Sequence, residues 1–238
     1  MGARNSSQRR TFPVFLVLFD VDGTLVDSQH MIVAAMTTAF EAESRPVPER
    51  EAVLGVVGLS LVEAMEALVP GIEPAAARAL AEAYKAAFQR LRQAATRQEP
   101  LYPGALAAIR RIGDRADVVL GIATGKSRRG VRSIIDLHGL EGRFATIQTA
   151  DDHPSKPHPS MILTALAETG VAPERAVILG DSAYDMDMAA AAGIHAVGVS
   201  WGYQDPASLA ARGAHRVLER FDEAYPVLSN LFGWSDHA

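Results

Sequence analysis

The sequence predicts an α/β protein: a parallel sheet core with helices on both faces, plus an α-helical domain inserted after the first strand. Short apolar runs rich in β-branched residues recur along the chain, and longer amphipathic stretches separate them. One interval, residues 30–97, breaks that rhythm.

The runs are VFLVLF (14–19), VVLGIA (118–123), ATIQT (145–149), AVILG (176–180), HAVGV (195–199) and a weaker HRVL (215–218). They lack strict polar–apolar alternation, as strands buried on both faces should. Between them ALAAIRRI, RGVRSIIDLHGL, PSMILTALAETG and AYDMDMAAAAGI have helical periodicity. These segments assign residues 12–29 and 98–238 to the α/β core, with Tyr102-Pro103-Gly104 marking the return to it. Residues 30–97 are rich in Ala, Glu, Leu and Arg and contain no convincing strand. Pro46, Pro48, Pro70, Gly71 and Pro74 divide this interval into several helices. Residues 1–11 are expected to form a disordered tail.

Bulk properties exclude several classes. The 238 residues suit one large domain or a domain with an insert. A net charge of −5 argues against a nucleic-acid partner. The absence of cysteine removes a disulfide framework, a thiolate metal site and a cysteine nucleophile, and fits a cytoplasmic compartment. No stretch supplies the ~20 apolar residues of a membrane span. Asp20 interrupts the first apolar run too early for a signal peptide. Met1-Gly2 with Ser6 mimics a myristoylation signal, but the pattern is short and reads better as a plain tail, so no membrane partner is expected.

Four polar clusters follow the runs, where open parallel sheets place their ligand sites. The first strand leads into Asp20-Val21-Asp22-Gly23-Thr24-Leu25-Val26-Asp27-Ser28. Residues two apart in an extended segment share a side, so Asp20 and Asp22 can serve one site. Two carboxylates that close repel unless a cation or proton intervenes. Gly23 permits a sharp turn and close approach of an anion. Next, Thr124 and Gly125 in Ile122-Ala123-Thr124-Gly125-Lys126-Ser127 offer a hydroxyl and an amide for phosphate. The segment is one residue short of a nucleotide-binding P-loop, and Lys126 is expected to point into the surface of the following helix.

Ser155-Lys156-Pro157-His158-Pro159 comes third. Only Lys85, Lys126 and Lys156 are lysines, so a proline-bounded Lys156 stands out as a fixed point charge for phosphate. His153 and His158 are a weak metal signal and read as surface or supporting groups. Finally, Asp181 ends the fourth run and Asp185 lies one helical turn further on the same face. Helix capping alone could account for acidic residues there, and for Asp187 that suffices. With Asp20 and Asp22, Asp181 makes a hard-oxygen site suited to Mg²⁺.

These motifs, in this order, resemble the phosphatase branch of the haloacid dehalogenase superfamily, and within it the phosphoglycolate phosphatase and β-phosphoglucomutase group. VGVSWGYQDP (197–206) is similar to the phosphoglycolate phosphatase side. The resemblance implies a Rossmann-like core with an α-helical cap, Mg²⁺ as cofactor and a small phosphorylated metabolite as substrate. It implies that Asp20 is the nucleophile and Asp22 the general acid and base. Asp20 and Asp181 would hold the metal through side chains and Asp22 through its main-chain carbonyl, while Asp185 would order the ligands around it. Thr124, Gly125 and Lys156 would bind the phosphoryl oxygens.

The second aspartate argues for phosphoryl chemistry, since a halide leaves unprotonated. A sugar phosphomutase shares all four motifs, but its cap needs basic or polar groups for a second phosphate. The cap loop VLGVVGLSL (53–61) has no Arg or Lys. Arg78 and Arg90 remain candidates to reach inward. Phosphonate cleavage would need Lys85 as a Schiff-base lysine, yet AEAYKAAF reads as a helix with that lysine facing solvent. A catalytically silent binding module usually lacks a catalytic group, and none is missing.

Overall fold

The computed structural model describes residues 14–94 and 99–234. The tail expected over 1–11 and the junction placed at 97/98 lie outside the described residues. The centre of the fold is strand β1 (Phe15–Phe19), all five of whose residues are buried. Around it run β2 (Val118–Thr124), β3 (Thr146–Thr149), β4 (Ala176–Gly180), β5 (His195–Val199) and β6 (Val217–Leu218). They form one parallel sheet in the order β3-β2-β1-β4-β5-β6.

Alternate residues of β1 feed opposite cores. Phe15, Val17 and Phe19 pack with Ile109 of helix α5 (Ala105–Gly113) and Val131 of α6 (Arg128–His138). Leu16 and Leu18 pack with Ile162 of α7 (Ser160–Thr169) and Met186 of α8 (Ala183–Ala192). The sheet is therefore covered on both faces, as its apolar runs require. Strands at the edges are shorter than their apolar runs. Of the 215–218 run only Val217 and Leu218 are strand, although His215 N still donates to the Ala196 carbonyl at 2.8 Å.

Between β1 and β2 the described residues make four helices, Gln29–Ala42, Arg50–Gly55, Leu61–Leu68 and Pro74–Gln93, before α5. The first and last breaks between them fall at the predicted Pro46 and Pro48 and at Pro70, Gly71 and Pro74, whereas the break between Gly55 and Leu61 holds no proline. Pro74 opens the last helix at its first turn, where a missing N–H costs nothing. This insert has its own core, in which Met31, Phe40, Met65, Leu80 and Phe88 meet. Its two crossings run side by side: Asp27 N donates to the Pro100 carbonyl and Tyr102 N to the Leu25 carbonyl, both at 2.9 Å. The sheet changes direction of winding at β1, between β2 and β4, and the insert leaves from the C-terminal end of that strand. A ligand site is expected at such a switch point.

Candidate active site

The C-terminal ends of β1, β2 and β4 bring the predicted residues together. Asp20 is 2% exposed, and its main-chain N–H donates to the Leu179 carbonyl of β4 at 2.9 Å. Its Oδ1 lies 3.1 Å from Lys156 Nζ, whose other side meets Asp185 Oδ1 at 2.6 Å. Lys156 thus sits fully buried between two carboxylates. Burial opposes its charge, but Asp185 and Asp20 outweigh that and hold the ammonium above its usual range.

Asp181 is fixed differently. Its Oδ2 accepts from Tyr203 N at 2.9 Å, and its Oδ1 accepts from the Thr24 hydroxyl at 3.2 Å. Asp185 closes a capping box with Ser182: Asp185 Oδ2 accepts from Ser182 N and Oγ, and Ser182 Oγ accepts from Asp185 N. Asp185 is thus both a helix cap and a site carboxylate. The backbone leaves no spare room here. A side-chain carbon added at Gly23, where φ is +82°, would lie 2.2 Å from Asp181 Oδ2.

One oxygen from each of Asp20, Asp181 and Asp185 falls within a 4.8 Å circle of mutual distances, and all three residues are buried. Burial pushes the Asp20 carboxyl up to about 6. The Lys156 charge pulls it down, and Asp185 pushes it up again. Burial likewise raises Asp181 well above the carboxylate range, and Asp20 and Asp185 add to the rise. Lys156 is one positive charge among three carboxylates. Asp20 Oδ1 is buried and receives no aligned hydrogen bond. An oxygen donor set of this kind, short of positive charge, fits Mg²⁺.

The Asp22 side chain stands outside that trio. Its Oδ1 accepts from Ser28 Oγ, and Lys126 Nζ approaches its two oxygens at 2.8 and 3.0 Å. This corrects the expectation for Lys126, which does not join the helix surface. It folds back because Gly130, one turn on, has no side chain: a carbon there would meet Lys126 Cγ at 2.8 Å. Lys126 Nζ also reaches Glu99 Oε1 at 3.0 Å, and Arg92 holds the other Glu99 oxygen. Burial disfavours the Lys126 charge, but Asp22 and Glu99 outweigh it and raise its pKa. The Lys126→Ala variant should lose about 1.5–3 kcal/mol of stability, the range of a hydrogen bond to a charged partner. Its turnover should also fall, since Asp22 is left on Ser28 alone. Denaturant titration beside steady-state kinetics checks both.

Thr124 is buried; its Oγ1 accepts from Lys126 N at 3.2 Å, and its hydroxyl is hydrogen-bonded to the Asp20 carboxylate, which favours the charged form there. Gly125 has a second reason to be glycine: a side-chain carbon would strike the Gly58 and Leu59 carbonyls at 2.6 and 2.8 Å. The insert loop thus presses directly on the strand-end loop. Ser60 N donates to Ser155 Oγ at 2.8 Å, and Tyr184 and Gln204 reach the Gly55 carbonyl. A cavity of about 280 Å³ remains beneath, with Asp20, Asp22, Thr124 and Lys126 on its core side.

Other candidates fall elsewhere. His153 bridges Ser160 Oγ and Gln148 Oε1 at 2.8 Å each, supporting the loop that carries Lys156. His158 Nδ1 accepts from Ser160 N, and Asp187 pairs with Arg212 at the surface. Arg78 and Arg90 are exposed and do not line the cavity; Arg92 and Arg129 do. Lys85 is exposed and pairs with Glu82 at 2.7 Å, beside the cavity mouth.

Residues 17–199 match the family model of haloacid dehalogenase-like hydrolases. The chain is 32% identical over 213 residues to a Dickeya dadantii protein named "Probable phosphatase IndB", covering 87% of this chain and 90% of that one. It is 32% identical to the phosphoglycolate phosphatase of Pseudomonas putida, over 86% of this chain and 76% of that enzyme. A crystal structure of a hydrolase from Pseudomonas syringae superposes with a TM-score of 0.79 at 28% identity, covering 91% of this chain and 98% of that one.

Proposed function

The chain belongs to the haloacid dehalogenase-like hydrolases, and from that premise we propose that it is a Mg²⁺-dependent phosphatase of small phosphate monoesters, working through a phosphoaspartate on Asp20. The observation that carries this reading is the position of Asp20. It lies on the floor of the cavity, beside Thr124, and against the buried Lys156.

A carboxylate approaching a phosphate dianion meets like charge. Lys156 offsets that repulsion from one side, and Thr124 offers a neutral donor to a phosphoryl oxygen. Asp20 and Asp181, with the main-chain carbonyl of Asp22, would hold Mg²⁺, and Asp185 would order the ligands around it; the ion supplies further positive charge at the transferring group when bound. An Asp20 oxygen forms the bond to phosphorus as the ester oxygen leaves, and Asp22 gives that oxygen its proton. In the second half Asp22 takes a proton from water, the water oxygen joins phosphorus, and Asp20 is released with inorganic phosphate. Asp22 already faces the cavity, held by Ser28 and Lys126.

We take residues 30–97 as a cap, closed over the site through the 55–60 loop. An enclosed compartment excludes water and favours substrates that fit inside, so proteins and polymers are disfavoured. Phosphoglycolate, which the resemblance puts first, is the reference ester. The mutase reading is disfavoured because the 53–61 loop, which lines the cavity, supplies no basic group for a second phosphate.

Hydrolysis of p-nitrophenyl phosphate should require added metal. Chelation should abolish it, and Mg²⁺ should restore it better than Ca²⁺, whose longer bonds and larger ligand number misplace the Asp20 carboxylate. Phosphate release untouched by chelator would sink the metal assignment.

A further inference from the structure

The walls of the cavity describe the alcohol that leaves. On the insert side the lining is mostly apolar, with Ile32, Met36, Val53, Val56, Tyr84 and Phe88, and with Gln89 and Gln93 as its uncharged polar members. Of the first six, all but Val56 are less than 10% exposed, so they form a packed wall whose one polar side-chain atom is the Tyr84 hydroxyl. The cations nearest to that wall are already engaged. Lys126 lies between Asp22 and Glu99, and Arg92 is bound to Glu99; both ammonium and guanidinium also stand over the Phe88 ring at 5.0 Å. Lys85 and Arg129 are exposed at the rim, not within the apolar part.

We propose that the substrate is a phosphate ester of an uncharged, apolar alcohol, aromatic or branched-alkyl, whose hydrocarbon part packs on this wall. The proposal rests on the phosphatase reading and narrows it. A cavity of roughly 150 Å³ accepts a benzene ring. The about 280 Å³ found here takes a ring or branched chain together with the phosphoryl group. A carboxylate such as that of glycolate, laid on this wall, would leave water beside two cations already paired, Lys126 and Arg92, and a hexose there would lose water from several hydroxyls, the polar lining residues Gln89, Gln93, Ser127 and Ser133 lying outside the wall. An apolar group gains from the same transfer.

The test is kcat/KM of the full chain with Mg²⁺ for benzyl phosphate and 3-methylbutyl phosphate, against 2-phosphoglycolate and glucose 6-phosphate. All four release primary alcohols, so differences report recognition and not leaving-group strength. Benzyl phosphate should exceed phosphoglycolate by at least 100-fold, equivalent to about 2.7 kcal/mol. In Val56→Arg that ratio should shrink at least tenfold, because the half-exposed loop position brings an unpaired cation to the wall. Phosphoglycolate or glucose 6-phosphate turned over as well as benzyl phosphate overturns the apolar substrate and leaves the phosphatase standing. A ratio unchanged in Val56→Arg overturns the role of this wall. Metal-dependent release of phosphate from none of the esters removes both readings together.

Discussion

Asp20→Asn should lower turnover by at least ~10⁴-fold, on the scale seen when an enzyme loses its nucleophile, and should leave no phosphoenzyme to trap by acid quench. The amide has the shape of the carboxylate but not its nucleophilicity, so the fold and the cavity persist. Stability should move the other way. The Asp20 carboxyl is raised in the folded protein to about 6, chiefly by burial. A carboxyl raised on folding favours the folded state fully below its unfolded pKa, and that contribution is lost as pH rises through its folded pKa. Metal-free Asp20→Asn, neutral throughout, should therefore melt higher than the unaltered protein above about pH 6, with the gap closing towards pH 4. Thermal melts in chelator across that range measure it. A variant that retains a tenth of the activity, or trapped phosphate on another residue, would rule out covalent catalysis by Asp20.

Lys156→Ala should show the second large effect, on two separable quantities. The side chain is wholly buried and touches Asp20 at 3.1 Å and Asp185 at 2.6 Å. Its removal leaves both carboxylates without their cation, a loss of about 3–5 kcal/mol for a broken buried pair. The transferring phosphoryl group also loses a fixed charge, worth on the order of 10²–10³ in rate. Thr124→Ala, which removes one neutral donor, should cost less. Lys156→Ala with Asp185→Asn should regain stability, because one of the stranded charges is gone, yet stay slow. If activity returned with stability, Lys156 would be a structural residue only. Denaturant titration and kcat on the single and double variants distinguish the two.

The sheet was legible because its strands are apolar on both faces and therefore advertise themselves as runs. Asp20, Asp22, Thr124, Lys156, Asp181 and Asp185 were legible because each ends or follows such a run, and strand ends in an open parallel sheet converge. The limits of reading are equally specific. The sequence points Lys126 to a helix surface, since its neighbours in sequence say nothing of Asp22, 104 residues away. Glu99 gives no signal of its own, Ser28 and Tyr203 stand in the 20–28 and 197–206 motifs without an assigned role, and Tyr203 meets Asp181 only because the chain after β5 returns over the strand ends.

The sequence by itself determined the sheet, the helical insert and the set of acidic and basic groups that can gather at one edge, because those follow from local periodicity and from short motifs at fixed spacing. Only the tertiary structure decided which cation faces which carboxylate, and what lines the space above them. Lys156 went to Asp20 and Asp185, Lys126 to Asp22 and Glu99, and the insert turned Ile32, Met36 and Phe88 towards the cavity. Such pairings depend on the distance and direction between side chains far apart in the chain, and packing alone sets these.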